Sequence, residues 1–245
     1  MHPSIFTYLF FAVGLIACQS NARQSAQAGD HAPPMVQEKP SATLDALKPP
    51  TPPSDASSFE SMVADYESKD RVIWQKPGLV ISMLGDLTGK TVADIGAGTG
   101  YFAFRLVPAA QKVIAVDIDP RFINFMDSIK VRLPETYQRR FETRLAKPDD
   151  PMLAAEEADA IIIVNTYGYL RNRAAYLKRL AVGMKPRARL LVIDFKKNNL
   201  PIGPSDEFKV AVADAIRELE AAGFQIVQID QESLDYQYIL IAQKP

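Results

Sequence analysis

Two aspartates and three glycines are the residues of this chain best suited to chemistry. Asp94 opens the run Asp94-Ile95-Gly96-Ala97-Gly98-Thr99-Gly100, and Asp117 stands 23 residues after Asp94. Glycines at every second position let a chain turn sharply and bring backbone N–H groups close to a ligand. An acidic residue just ahead of such a turn sits at the carboxyl end of the strand that leads in. An acidic residue ending the following strand can accept from both hydroxyls of a ribose. The spacing is Gly-x-Gly-x-Gly. The dinucleotide fingerprint needs another small residue where this chain has Tyr101, which argues against a nicotinamide enzyme.

The elements that must position these residues follow from periodicity. Thr91 to Ile95 and Lys112 to Asp117 read as buried strands, Phe141 to Leu145 as a weaker third, and Arg189 to Phe195 as a fifth. Ala158 to Asn165 is a near-continuous apolar, β-branched run, as expected of a strand covered on both faces in a parallel sheet. Gln225 to Ile229 and Tyr236 to Ala242 supply two more strands. Between them fall helices: Phe102 to Val107, Asp119-capped to about Leu133, Arg173 to Met184, and one capped by Ser205 and stopped by Gly223. Upstream, Ser57 and Glu60 have capping-box spacing, Phe59, Met62, Val63 and Tyr66 share a helical face, and Pro77 starts a second helix.

The glycine run resembles motif I of the class I S-adenosylmethionine-dependent methyltransferases, and the order and spacing from about residue 70 to 245 agree with it. The resemblance implies an α/β fold, a Rossmann-like three-layer sandwich whose mostly parallel seven-stranded sheet has an antiparallel last strand. It implies S-adenosylmethionine as cofactor, held by Asp94, Gly96, Gly98, Gly100 and Tyr101, with Asp117 on the ribose and Ile118 against the adenine. Either Asp149 or Asp150 would accept from the adenine amino group. Asn165 and Tyr167, at the carboxyl end of the fourth strand, would face the transferring methyl group, Asn165 also touching the cofactor. For a hydroxyl acceptor, Asp194 or Tyr167 would be the base, although Asp194 also reads as a partner of Lys196. Arg71, Trp74 and Gln75 are candidates for a lid over the cofactor, Trp74 equally for packing the two upstream helices together.

The chain also departs from the family. Gly168-Tyr169 stands where similar exported proteins carry histidines, and Lys185-Pro186-Arg187-Ala188 replaces Lys-Pro-Gly-Gly, implying a different turn into the fifth strand. A catalytically inactive domain of this fold that binds a nucleoside or other small ligand is therefore the alternative function.

Composition bounds the remaining possibilities. The chain has 245 residues, 47% hydrophobic, with a formal net charge of −1, so no global basic field points to nucleic acid. Cys18 is its one cysteine, and its two histidines, His2 and His31, precede the folded part. Metal sites built on cysteine are thereby excluded, and a histidine metal site or histidine base is not expected in the folded part. Ile5 to Ala17 is an apolar run shorter than the ~20 residues a bilayer span needs. It fits a signal-peptide core, and Leu15-Ile16-Ala17-Cys18 resembles a bacterial lipobox, despite an n-region without Lys or Arg. The organisation expected is thus a signal peptide over 1–17, a lipid-anchor cysteine and proline-rich linker over 18–56, and a methyltransferase domain over 57–245. That places the domain in the cell envelope, facing the periplasm and tethered to a membrane through Cys18, or in the cytoplasm if the true start is internal. No large insertion is present to grip a macromolecule, which favours a small-molecule acceptor.

Overall fold

The computed structural model describes residues 58–245. The expected signal peptide, Cys18, the linker and Ser57 lie outside the described residues.

Three short helices lead in: α1 (Phe59–Tyr66), α2 (Arg71–Gln75) and α3 (Pro77–Ser82). The cap of α1 is Ser58, whose Oγ accepts from Ser61 N at 3.2 Å, one residue later than the capping-box spacing predicts. The turn α2 was not expected from the apolar pattern, because its buried residues are Arg71, Trp74 and Gln75. Then follow β1 (Thr91–Ile95), α4 (Ala103–Leu106), β2 (Lys112–Asp117), α5 (Pro120–Lys130), α6 (Glu135–Gln138) and β3 (Phe141–Leu145). The second half contains β4 (Ala158–Val164), α7 (Arg173–Gly183), β5 (Met184–Phe195), α8 (Val212–Ala221), β6 (Gln225–Asp230) and β7 (Gln237–Gln243).

The seven strands form one sheet in the order β3-β2-β1-β4-β5-β7-β6. The first five are parallel, and β7 runs antiparallel to both β5 and β6. Strand side chains alternate between faces, so each strand feeds two cores. Val92, Val113, Ala115, Ile162 and Ile193 pack with Val80, Leu106 and Met126 from α3, α4 and α5. Their neighbours Ala93, Ile114, Ile161, Ile163 and Val192 pack with Leu177, Leu180, Ala215 and Leu219 from α7 and α8. The expected three-layer sandwich is the fold observed. The strand order reverses between β1 and β4, and ligands of open α/β sheets bind outside the carboxyl ends of strands at such a point.

Two expectations need correction. The helix expected from Ser205 is broken: Asp206–Phe208 is a 3-10 turn, and α8 starts only at Val212. Ser205 Oγ bonds the Glu207 carboxylate instead of a helix N-terminus. Strand β5 begins at Met184, not Arg189, with an irregularity in which Ala158 pairs with Met184 but Ala160 with Arg189. Arg187 lies in that irregularity at φ +64°, a left-handed conformation that costs a side-chain-bearing residue about 1–2 kcal/mol. The expected different turn is thus a bulge with arginine where glycine is the unstrained choice. Arg187→Gly is expected to raise stability by about 0.5–1 kcal/mol in urea unfolding, the glycine's extra unfolded-state entropy offsetting part of the relieved strain.

Candidate functional site

The glycine loop folds back on the end of β2. Gly96 N and Ala97 N both donate to Val116 O, at 2.8 and 2.9 Å. Asp117 then closes the loop with its side chain: Gly98 N donates to one carboxylate oxygen at 2.7 Å and Asp119 N to the other at 3.0 Å. Gly96, Gly98 and Gly100 have φ of +72°, +56° and +84°, which explains the glycines at every second position. Asp117 is almost fully buried, and that burial raises its pKa against the pull of these N–H groups. Ile118, beside it, is 57% exposed. Asp119 caps α5 through Arg121 N at 2.8 Å, as expected.

Asp94 ends up sealed in the interior at the head of the loop. One carboxylate oxygen, Oδ2, has no hydrogen-bond partner among the described residues. Burial pushes its pKa up to about 7, with the Arg71 charge and the Ala103 N–H pulling it down and Asp117 pushing it further up. Below that value Asp94 keeps its proton in the folded chain. The folded state therefore holds more protons than the unfolded one between about pH 4 and 7, and stability falls as pH rises through that window.

The upstream helices cover the loop. The Tyr66 ring lies over Gly98 and stacks on Phe122 with centroids 5.4 Å apart. Glu67 accepts from Thr99 Oγ1 at 2.5 Å. Arg71 is buried, with its guanidinium 4.1 Å from the centre of the Tyr101 ring, and it donates to Tyr66 O at 2.8 Å and to Gln75 Oε1 at 2.6 Å. Gln75 reaches Asn165 and Gln237. Arg71 and Gln75 thus stand over the carboxyl ends of the strands, where the lid reading put them. Trp74 packs α2 onto the end of β5, its ring 6.1 Å from that of Phe195, so its role is neither that of a helix-to-helix spacer alone nor an open lid.

Several expected site residues face elsewhere. Tyr167 begins a 3-10 turn (Tyr167–Tyr169) that carries it under the sheet, where it is fully buried and donates to Glu218 Oε2 at 2.7 Å. Arg173 holds the same carboxylate at 2.7 Å, so Tyr167 belongs to the packing of α7 and α8 and does not meet a methyl group. Asp194 is also fully buried. It accepts from Gly168 N at 3.0 Å and Phe195 N at 2.8 Å, fixing that turn. Burial raises its pKa to about 6. Its expected partner Lys196 bonds Leu234 O and Asp235 O instead. Tyr101 is packed between two guanidiniums, those of Arg71 and Arg105, and offers no open face. Asp149 and Asp150 lie in a turn pinned by Arg179 of α7, at 3.2 and 3.8 Å. Asn165 remains at the carboxyl end of β4, partly exposed, at φ +55°.

Three residues of the site escaped the sequence reading: Tyr66, Glu67 and Gln237. Tyr66 read as the end of an apolar helical stripe, which gives no sign that the ring lies on a glycine loop. A cleft of about 540 Å³ also exists, lined by Arg173, Lys178, Lys197, Lys209, Arg217 and Glu218 among others, on the α7 and α8 side and away from the loop.

With this geometry in view, the comparisons with known proteins agree. Residues 93–190 match the family model described as a methyltransferase domain. A methyltransferase structure from Aquifex aeolicus superposes with a TM-score of 0.71 at 23% identity, covering 77% of this chain and all of that one. The chain has the class I methyltransferase fold. Among named relatives, the demethylmenaquinone methyltransferase of Lactococcus lactis is 28% identical over 155 residues, covering 61% of this chain and 58% of that protein. The chain thus spans less than two thirds of that relative's length. A structure described as a possible exported protein from Bordetella parapertussis superposes with a TM-score of 0.59 at 15% identity, covering 83% of this chain and 78% of that one.

Gly96 and Gly89 share a φ of +72° but not their surroundings: a Cβ at Gly96 would overlap the Thr166 side chain, whereas one at Gly89 meets nothing within 4 Å. Gly89→Ala is expected to cost about 1–2 kcal/mol for the left-handed backbone alone. Gly96→Ala adds an overlap of about 1–3 kcal/mol. Urea unfolding of the two variants, with the difference between them, measures how tightly Thr166 closes the loop.

Proposed function

We propose that the chain is an S-adenosylmethionine-dependent methyltransferase with a small-molecule acceptor, exported and held at a membrane through Cys18. The observation that carries the reading is the unpartnered Oδ2 of Asp94, buried at the head of a glycine loop whose other carboxylate is Asp117. The residues fit the cofactor. An ammonium group supplies the donor Asp94 lacks. The Asp117 oxygens each use one lone pair on a backbone N–H and keep another for a ribose hydroxyl. Ile118 offers an exposed apolar face beside them.

When bound, S-adenosylmethionine supplies a methyl group on a positively charged sulfur, already activated toward displacement. The chain then needs chiefly to hold the acceptor in line, and positioning of this kind contributes about 7–11 kcal/mol to a barrier. Neither Tyr167 nor Asp194 reaches an acceptor as a base, so the acceptor arrives as its own nucleophile. Export is supported by the apolar run from Ile5 to Ala17 and by Leu15-Ile16-Ala17-Cys18, which resembles a lipobox. Methyl transfer is supported by the matched domain and by relatives named as methyltransferases.

The second reading is a ligand-binding protein of the same fold, favoured by the burial of Tyr167 and Asp194, which leaves neither expected base at the site. Calorimetric titration of the full-length chain with S-adenosylmethionine and S-adenosylhomocysteine, beside Asp117→Ala, tests the cofactor. Micromolar binding that weakens at least about thirtyfold in the variant is expected, the loss of two charge-assisted hydrogen bonds. No binding at millimolar cofactor by folded protein sinks the reading. The pH dependence has a set sign. Below about pH 7 the ammonium must drive the proton off Asp94, so affinity rises up to about tenfold per unit toward that value. Above about pH 8 the cofactor's own amino group begins to lose its proton, and affinity falls.

A further inference from the structure

The side-chain amides of Gln75, Asn165 and Gln237 meet at the carboxyl end of β4, brought there from α2, the β4 terminus and the start of β7. Which end of an amide is oxygen is settled by its partners. Here one residue settles all three. Arg71 can only donate, and its Nε donates to Gln75 Oε1 at 2.6 Å. Gln75 therefore turns its Nε2 to Asn165 Oδ1 at 3.3 Å and to Gln237 Oε1 at 3.2 Å. With Oε1 so engaged, Gln237 has Nε2 left, and this too donates to Asn165 Oδ1. Both donors fall on one oxygen. An amide oxygen has two lone pairs, so Asn165 Oδ1 is filled.

Asn165 keeps only Nδ2 for a ligand. This group has no protein partner among the described residues and is not among the buried polar atoms sealed from solvent. Its backbone is fixed as well, by the left-handed φ of +55° and by Asn165 N donating to Ile193 O at 2.9 Å.

We propose that Asn165 is a donor-only contact to the methyl acceptor, and that the acceptor is an ionised hydroxyl of phenol or enol type, not an amine. The proposal rests on the methyl-transfer reading above and names its substrate class. An amine has one lone pair, and that pair is its nucleophile. A hydrogen bond from Nδ2 would occupy it, and the side-chain oxygen of Asn165 has no lone pair left to receive the amine's N–H. An oxyanion has three lone pairs. It can accept from Nδ2 with one and attack with another. The hydroxyl proton leaves to water before transfer. One oxygen lone pair then forms the O–C bond to the methyl carbon while the C–S bond breaks and its electrons return to sulfur as a neutral thioether.

The test reads Asn165 directly and needs no cofactor. In the full-length chain, nitrogen-resolved NMR at about pH 8 follows the Asn165 side-chain NH2 during titration with ionised 4-nitrophenol and, separately, aniline, an amine that is neutral there. The phenolate is expected to move those resonances and the amine to leave them in place. Asn165→Asp, with its fold checked by circular dichroism, is expected to weaken phenolate binding by about tenfold or more, because a donor becomes a negative acceptor. Gln237→Met removes one donor from Oδ1 and is expected to let aniline bind. Aniline shifting the wild-type resonances as strongly as phenolate, neither probe shifting them, or Asn165→Asp binding phenolate within twofold of wild type would each overturn the proposal. Phenolate shifts in a chain that fails to bind S-adenosylmethionine would remove the methyl-transfer reading and leave Asn165 as the donor of an oxyanion-binding site.

Discussion

One buried guanidinium joins the N-terminal helices to the ends of the sheet. Arg71 is 7% exposed, and burial lowers its pKa to about 10. No carboxylate among the described residues pairs with it within salt-bridge distance. Its charge is instead spread over the Tyr66 carbonyl, the Gln75 amide oxygen and the face of Tyr101, with Asp94 and Glu67 acting at longer range. A cation held in this way costs several kcal/mol to bury, and the cost is offset only while each neighbour stays in place. That constraint orders the rest. It fixes the C-terminus of α1, and with it Tyr66 over Gly98. It also turns Gln75, and through Gln75 the amides of Asn165 and Gln237.

The sheet and its loop were legible because each strand is a local statement. Runs rich in small and β-branched residues mark β1, β2 and β4, and a strand that passes through Asp94 straight into glycines can turn in few ways. Asp117 was legible for the same reason, its place at a strand end being set by spacing. The fates of Tyr167 and Asp194 were not. Position at the carboxyl end of a strand says which edge of the sheet a residue reaches, but not which side of that edge a 3-10 turn sends it. The partner that claims Tyr167 is Glu218, 51 residues later and on another helix. Gln237 was hidden likewise: it meets Asn165 across 72 residues, and only the antiparallel insertion of β7 beside β5 brings them together.

The irregular start of β5 shows a different limit. The sequence announces that glycines are missing at Arg187-Ala188 but not how the chain compensates. It does so by keeping the left-handed turn and placing arginine in it, with Arg187 N donating to Lys244 O at 3.1 Å and Gln243 Nε2 donating to Arg187 O at 2.8 Å. Two hydrogen bonds to β7 and the residue after it hold the strained residue in place, so this departure lies at the start of β5, the opposite end of that strand from Phe195 and the amide cluster.

The electrostatics of the loop argue for the sign of what it holds. Asp94 and Asp117 lie at the carboxyl ends of adjacent strands, burial raises the pKa of each, and Asp117 raises that of Asp94 further. Backbone N–H groups satisfy Asp117 on both oxygens, but Asp94 has one oxygen without a partner and depends on a proton to remain neutral. An anion placed here would face two acidic groups, and a neutral apolar ligand would leave that oxygen stranded. A ligand with an ammonium end and hydroxyls beyond it supplies both the charge and the donors. Such a ligand lying on Gly98 meets Tyr66 first, and the ring it displaces is stacked on Phe122. Binding therefore has to exceed the loss of that stack, about 0.5–1.5 kcal/mol beyond the buried area. This is small beside what two charge-assisted hydrogen bonds contribute, so the same loop can be covered when free and still bind its ligand tightly.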